Sequence, residues 1–175
     1  MIKTIAIVAA VGIAALLVFA ATRPDTFRVQ RTVSIKAAPE QLHPLINDLR
    51  QFNTWNPYNK KDPSMTGSYS GPAAGPGAGF NFRGNKDVGK GSFQIVDSAP
   101  RQVTMNLDML EPFEVHNIVE FRLAPQGETT AVTWAMHGPS PFLAKLVGVF
   151  LNMDRMIGRD FEAGLADLKA RAERA

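Results

Sequence analysis

Between Phe80 and Met136, apolar side chains recur at every second position, and that period limits what the chain can fold into. Val103, Met105, Leu107 and Met109 alternate with Thr104, Asn106 and Asp108. Val115, Val119, Phe121 and Leu123 alternate with His116, Glu120 and Arg122, and Val132, Trp134 and Met136 alternate with Thr133 and Ala135. Phe80 and Phe82 begin an earlier run, and Phe93 and Ile95 mark another within GSFQIV. Upstream, residues 27–36 place Phe27, Val29, Val33 and Ile35 on one face, with Arg31 the single exception. Strands with one apolar face build an antiparallel sheet, wet on one side and covered on the other. Pro100-Arg101 and Gln126-Gly127 mark turns between strands, and the aperiodic GPAAGPGAG of residues 71–79 is a loop.

The cover for that sheet comes from the C-terminus. Met153, Ile157, Phe161, Leu165 and Leu168 recur at spacings of four and three, which draws one apolar stripe along a long helix. Asp167 with Arg171, and Lys169 with Glu173, have the spacing of ion pairs on its outer surface. Ala38-Pro39-Glu40 opens a helix running to about Leu49, with Pro39 suited to the first turn. Phe52, Trp55 and Pro57 follow in a short second helix or turn. Ser140 is placed to cap a helical stretch beginning at Pro141. Within it, residues 142–151 (FLAKLVGVFL) are apolar nearly all around, with Lys145 the only charge. Such a helix is buried or touches a membrane. Burial is the default reading, and a lid or membrane contact through Phe142, Leu143, Val149 and Phe150 is the alternative. The expected fold is α+β: a curved antiparallel sheet of about seven strands wrapped on a long C-terminal helix. The gap between them is a ready place for an apolar ligand.

No residue from Thr4 to Ala21 is charged, and eighteen helical residues span about 27 Å, close to a bilayer's hydrocarbon thickness. The competing reading is a cleaved signal peptide, for which Val18-Phe19-Ala20 is a tolerable site. The run exceeds the usual signal core, which favours an uncleaved, single-pass anchor. The chain then divides into an anchor at 1–22, a linker at 23–26 and a domain at 27–175. Lys3 and the α-amino group favour the N-terminus inside, whereas Arg23, Arg28 and Arg31 favour the opposite, so the domain is placed outside the cytoplasm by a narrow margin. The 19 Lys+Arg exceed the 16 Asp+Glu by only three and form no basic run, which argues against nucleic acid as a partner. The absence of cysteine excludes disulfides, thiolate metal sites and a cysteine nucleophile.

Four stretches together resemble the START-like superfamily called SRPBCC, and within it the polyketide cyclase/dehydrase-like group. They are Ile35-Lys36-Ala37-Ala38-Pro39-Glu40, Phe52-Asn53-Thr54-Trp55-Asn56-Pro57, the glycine-rich residues 84–91 (GNKDVGKG), and residues 153–165 (MDRMIGRDFEAGL) at the start of the last helix. The last match is the most specific, and the resemblance covers about residues 27–172. It implies a helix-grip fold around a hydrophobic cavity. It implies no single activity, because the superfamily includes lipid carriers, hormone receptors and cyclases.

Residues 84–91 nearly spell a phosphate-binding loop, but Gly91 stands where a hydroxyl should reach Mg²⁺, and a strand rather than a helix follows. His43, His116 and His137 have no ligand spacing and no carboxylate cluster beside them, so no metal or cofactor is expected. No Gly-x-Ser-x-Gly elbow supports a serine hydrolase. Asn117 interrupts an apolar strand face and is either satisfied by the scaffold or oriented towards a ligand. Asp160 borders the helical stripe. Met105, Met109, Met136, Met153 and Met156 fall on or near inner faces, as core filler or as a shape-tolerant pocket wall.

The first functional expectation is a membrane-tethered binding module for a small hydrophobic molecule or lipid. Its walls would be Phe82, Met105, Met109, Trp134, Met153, Ile157 and Phe161, with Asn117 as the polar contact. The alternatives are a cyclase/dehydrase-type enzyme, for which no catalytic constellation is visible, and a structural envelope protein without a ligand.

Overall fold

The computed structural model describes residues 1–174. After helix α1 (Ile2–Ala21) come strand β1 (Thr26–Ile35) and three short helices, α2 (Pro39–Asn47), α3 (Leu49–Phe52) and α4 (Pro57–Lys61). Six strands follow: β2 (Thr66–Ser70), β3 (Gly79–Arg83), β4 (Lys90–Ala99), β5 (Gln102–Glu111), β6 (Val115–Gln126) and β7 (Thr129–Pro139). Helices α5 (Phe142–Phe150) and α6 (Met153–Ala172) end the chain. All seven strands form one antiparallel sheet in the order β1-β7-β6-β5-β4-β3-β2, so the first strand lies beside the last. The chain is therefore α+β, an open seven-stranded sheet gripping a C-terminal helix.

Alternation becomes burial wherever one face meets α6 and the short helices. In β5 the inward Val103 and Met105 are buried, and in β6 Val119, Phe121 and Leu123 are. Phe161 of α6 stacks on Trp134 of β7, with ring centroids 4.2 Å apart and planes within 10°. Phe52 and Trp55 pack edge-on against the same tryptophan, and Phe121 lies tilted beside it with centroids 5.1 Å apart. Gln41 supports the start of α2 by accepting the Ala38 amide, and Asp48 and Asn56 cap α3 and α4.

Arg31, the exception on β1, faces α6 and binds it. Its guanidinium donates to Glu162 Oε1 at 2.7 Å, and to the Asp154 carboxylate and main-chain oxygen at 3.0 Å. Gly158 makes room for this, since a Cβ there would overlap the guanidinium. An inward arginine is tolerated because two carboxylates and a carbonyl replace its water.

Several expectations change. β2 is a strand although its residues, TGSYS, carry no alternation, because as an edge strand it is wet on both faces. Pro141, not Ser140, occupies the cap position of α5, and its ring can accept no amide. Asp167 pairs with Lys60 of α4 rather than with Arg171, while Lys169 and Glu173 do pair. One expectation holds: the phosphate-loop-like segment turns directly into the strand β4, so no helix N-terminus converges there. The greasy helix α5 is largely exposed rather than buried. α1 is long and apolar enough to cross a membrane, a property that a signal sequence at the same place would share.

Candidate functional site

Sheet and helix part company at the β3–β5 side, and a cleft of about 740 Å³ opens between them. Its floor is the inner face of the sheet: Phe80 and Phe82 on β3, Phe93 on β4, Leu107 and Met109 on β5, and Met136 on β7. Met153, Met156 and Ile157 of α6 form the opposite wall, and Val88 and Pro112 stand at the strand ends. Five of the seven methionines, counting Met65, line this space. Their unbranched thioethers can adapt to ligands of differing shape.

Lys86 and Asp87 stand exposed at the rim, and polar groups enter the interior at two places. Asn117 on β6 is buried on the wall, and its Oδ1 has no hydrogen-bond partner among the described residues. The carboxamide is seated against Gly138 of β7, where any Cβ would collide with that oxygen. The second place is an ion pair between Lys61 of α4 and Asp160 of α6, with Nζ and Oδ2 2.7 Å apart. Tyr58 lies alongside, its ring centroid 5.1 Å from Lys61 Nζ. Burial, reinforced by the Asp160 carboxylate, pushes the Tyr58 phenol well above its ordinary pKa, so it stays protonated. This end of the cleft presents hydrogen-bond donors and a neutralised charge pair rather than a free base.

Of the residues expected from the sequence, the cleft brings together Phe82, Met109, Asn117, Met153 and Ile157. Met105, Trp134 and Phe161 lie in the close-packed half of the interior, with at most 2% of their surface exposed. Tyr58 and Lys61 were not anticipated. The signal was present in Asn56-Pro57, which starts a helix and sets positions 58 and 61 three apart on one face. Among the described residues no group of three His, Cys, Asp or Glu side chains could hold a metal ion.

A separate open groove of about 630 Å³ runs over the outer face of the sheet, past Asn81, Arg83, Ser92 and Asp108. His116 at its edge donates a 2.7 Å hydrogen bond from Nδ1 to Asp108 Oδ1, which raises the imidazole pKa.

Solved structures share the architecture. Protein CV1439 from Chromobacterium violaceum superposes with a TM-score of 0.59 at 15% identity, covering 86% of this chain and 99% of that one. A Thermobifida fusca protein gives 0.61 at 20% identity, over 84% and 93%. DynU16, a protein of the dynemicin biosynthetic locus, gives 0.58 at 16% identity, with 86% of this chain on 48% of that one. These likenesses show the fold. No curated protein matches in sequence. A family model described as polyketide cyclase / dehydrase and lipid transport matches residues 26–173, and the chain belongs to that family.

Proposed function

We propose that the chain is a membrane-tethered binding module that holds one small hydrophobic molecule or lipid between the sheet and α6. The observation that carries this reading is Asn117: a buried carboxamide with an unpartnered oxygen, set in the wall of a methionine-rich cleft. An orphaned buried polar group costs about 1–3 kcal/mol, and a ligand's hydroxyl would satisfy it. The volume falls within the range of sites that enclose small molecules, about 300–1,000 Å³. Helix α1 is the tether, residues 23–26 the linker and the rest the domain. The family's cyclase chemistry is the alternative. It would require a general base in the cleft, whereas the Asp160 carboxylate is engaged by Lys61 and Asp87, the other carboxylate lining the cleft, is exposed at its rim.

Native mass spectrometry of the full chain, extracted in mild detergent, tests the proposal. A copurified apolar molecule, lost on Met109→Trp substitution in the cleft wall, is the expected result. Ligand-free protein that also fails to take up a fluorescent fatty alcohol would overturn it.

A further inference from the structure

Helix α5 is apolar and uncovered. Phe142, Leu143, Val147 and Phe150 are exposed, Phe150 to 72%. The element packed most extensively on it is α1, whose Ala20 is fully buried. Its one charge, Lys145, turns away from this surface to pair with Asp25 of the linker. The Ser140 amide donates to the Asp25 carbonyl at 2.7 Å, so the start of α5 is tied to the residues that leave α1.

The depth of α5 follows from this packing. Twenty helical residues span about 30 Å, which α1 needs in full to cross the hydrocarbon layer. Ala20 and Ala21 then lie at the membrane surface, and α5, packed on that end, lies there too. Resting on the reading that α1 is inserted, we infer that α5 is embedded in the adjoining leaflet and that the cleft beside it opens into lipid rather than water. A helix of Phe, Leu and Val whose lysine is turned aside matches the acyl boundary of a bilayer. The apolar surface continues to the cleft. Leu151 and Asn152 lead from α5 to Met153, and Met153 and Met156 are both exposed and part of the cleft wall. On the opposite lip, Pro112 is followed by the exposed Phe113. The occupant is therefore an amphiphile dissolved in the bilayer, an apolar body with a hydroxyl that donates to Asn117 Oδ1, which passes between leaflet and cleft without crossing water.

Because the chain has no cysteine, single-cysteine variants report cleanly. Nitroxides are attached to the full chain bearing Val11→Cys, Leu143→Cys, Phe150→Cys, Met156→Cys or Glu128→Cys. The variants are placed in nanodiscs of phosphatidylcholine and phosphatidylglycerol, and collision with oxygen is compared with collision with a water-soluble nickel chelate. Glu128 lies at the far end of β7 from α5, about 33 Å along an eleven-residue strand. The oxygen-to-nickel ratio at 143, 150 and 156 should be severalfold higher than at 128. A lipid-like ratio at 11 with water-like ratios at 143 and 150 would overturn the inference and leave the anchor standing. A lipid-like ratio at 143 and 150 with a water-like one at 156 would overturn the opening of the cleft into lipid. A water-like ratio at 11 would remove the anchor, and this inference with it. Spin–spin broadening between copies at 150 would show that a second copy, not lipid, covers α5, and would also overturn it.

Discussion

Asn117 and Gly158 are two positions where one atom decides the outcome. Asn117 Oδ1 has no partner to lose, so Asn117→Leu should leave the ligand-free protein within about 1 kcal/mol of its original stability in urea melts, or above it. Affinity for a ligand carrying a hydroxyl should fall about tenfold or more, equivalent to 1.4 kcal/mol, while a plain hydrocarbon should bind as before. A loss of stability with equal weakening of both ligands would take Asn117 out of the site. At Gly158 a methyl group would occupy the space of the Arg31 guanidinium. Gly158→Ala should therefore destabilise by about 1–3 kcal/mol through overpacking. The loss should shrink in an Arg31→Ala background, where nothing remains to be displaced, and a double-mutant cycle measures that coupling.

Among the elements, α6 is held by its stripe and the sheet by its alternation, and both patterns are legible because each element has one buried face. β2 has none: all five of its residues are exposed, so its pairing with β3 left no mark on the hydrophobic period. The candidate site was legible in part for a related reason. Periodicity tells which side chains point inward, but not how deep the interior is at each of them. Met109 and Trp134 both point inward, yet one lines open space and the other lies beneath Phe161 and beside Phe52 and Trp55. The division is set by where α6 and the short helices rest on the sheet, which is a matter of tertiary packing. Phe161 belongs to the filled half, so Phe161→Ala should cost about 3–5 kcal/mol, read from denaturant melts. A cost below about 1 kcal/mol would mean that the helix closes over the gap without it.

Over the whole molecule, charge pairs fasten the outer parts of this assembly, and they give its stability a defined pH dependence. Lys145 holds the Asp25 carboxyl below its ordinary pKa, and so joins the segment between α1 and β1 to α5. Arg31 does the same to Asp154, across β1 and α6. A hydrogen bond from the Ser64 hydroxyl, helped by the Asn85 amide at 2.6 Å, lowers Asp62 and ties the end of α4 to the β3–β4 loop. In each case the folded chain binds the proton less tightly than the unfolded chain. Their contribution is present above the unfolded carboxylate value of about 3.9, and is lost as pH falls through the lower folded values. His116 works in the opposite sense. Asp108 raises its pKa, so its contribution is present below about pH 6.5 and is lost as pH rises through the folded value. Asp25, Asp154 and His116 are exposed to water, so their contributions are modest and salt-sensitive, whereas Asp62 is buried. Urea midpoints measured from pH 2 to 9 at low salt should form a plateau between about pH 4 and 6.5 and decline on both sides. Asp154→Asn should flatten the acid limb, and His116→Gln should abolish the decline above neutrality while leaving the acid limb unchanged. An alkaline decline that survives His116→Gln would assign it to some other group.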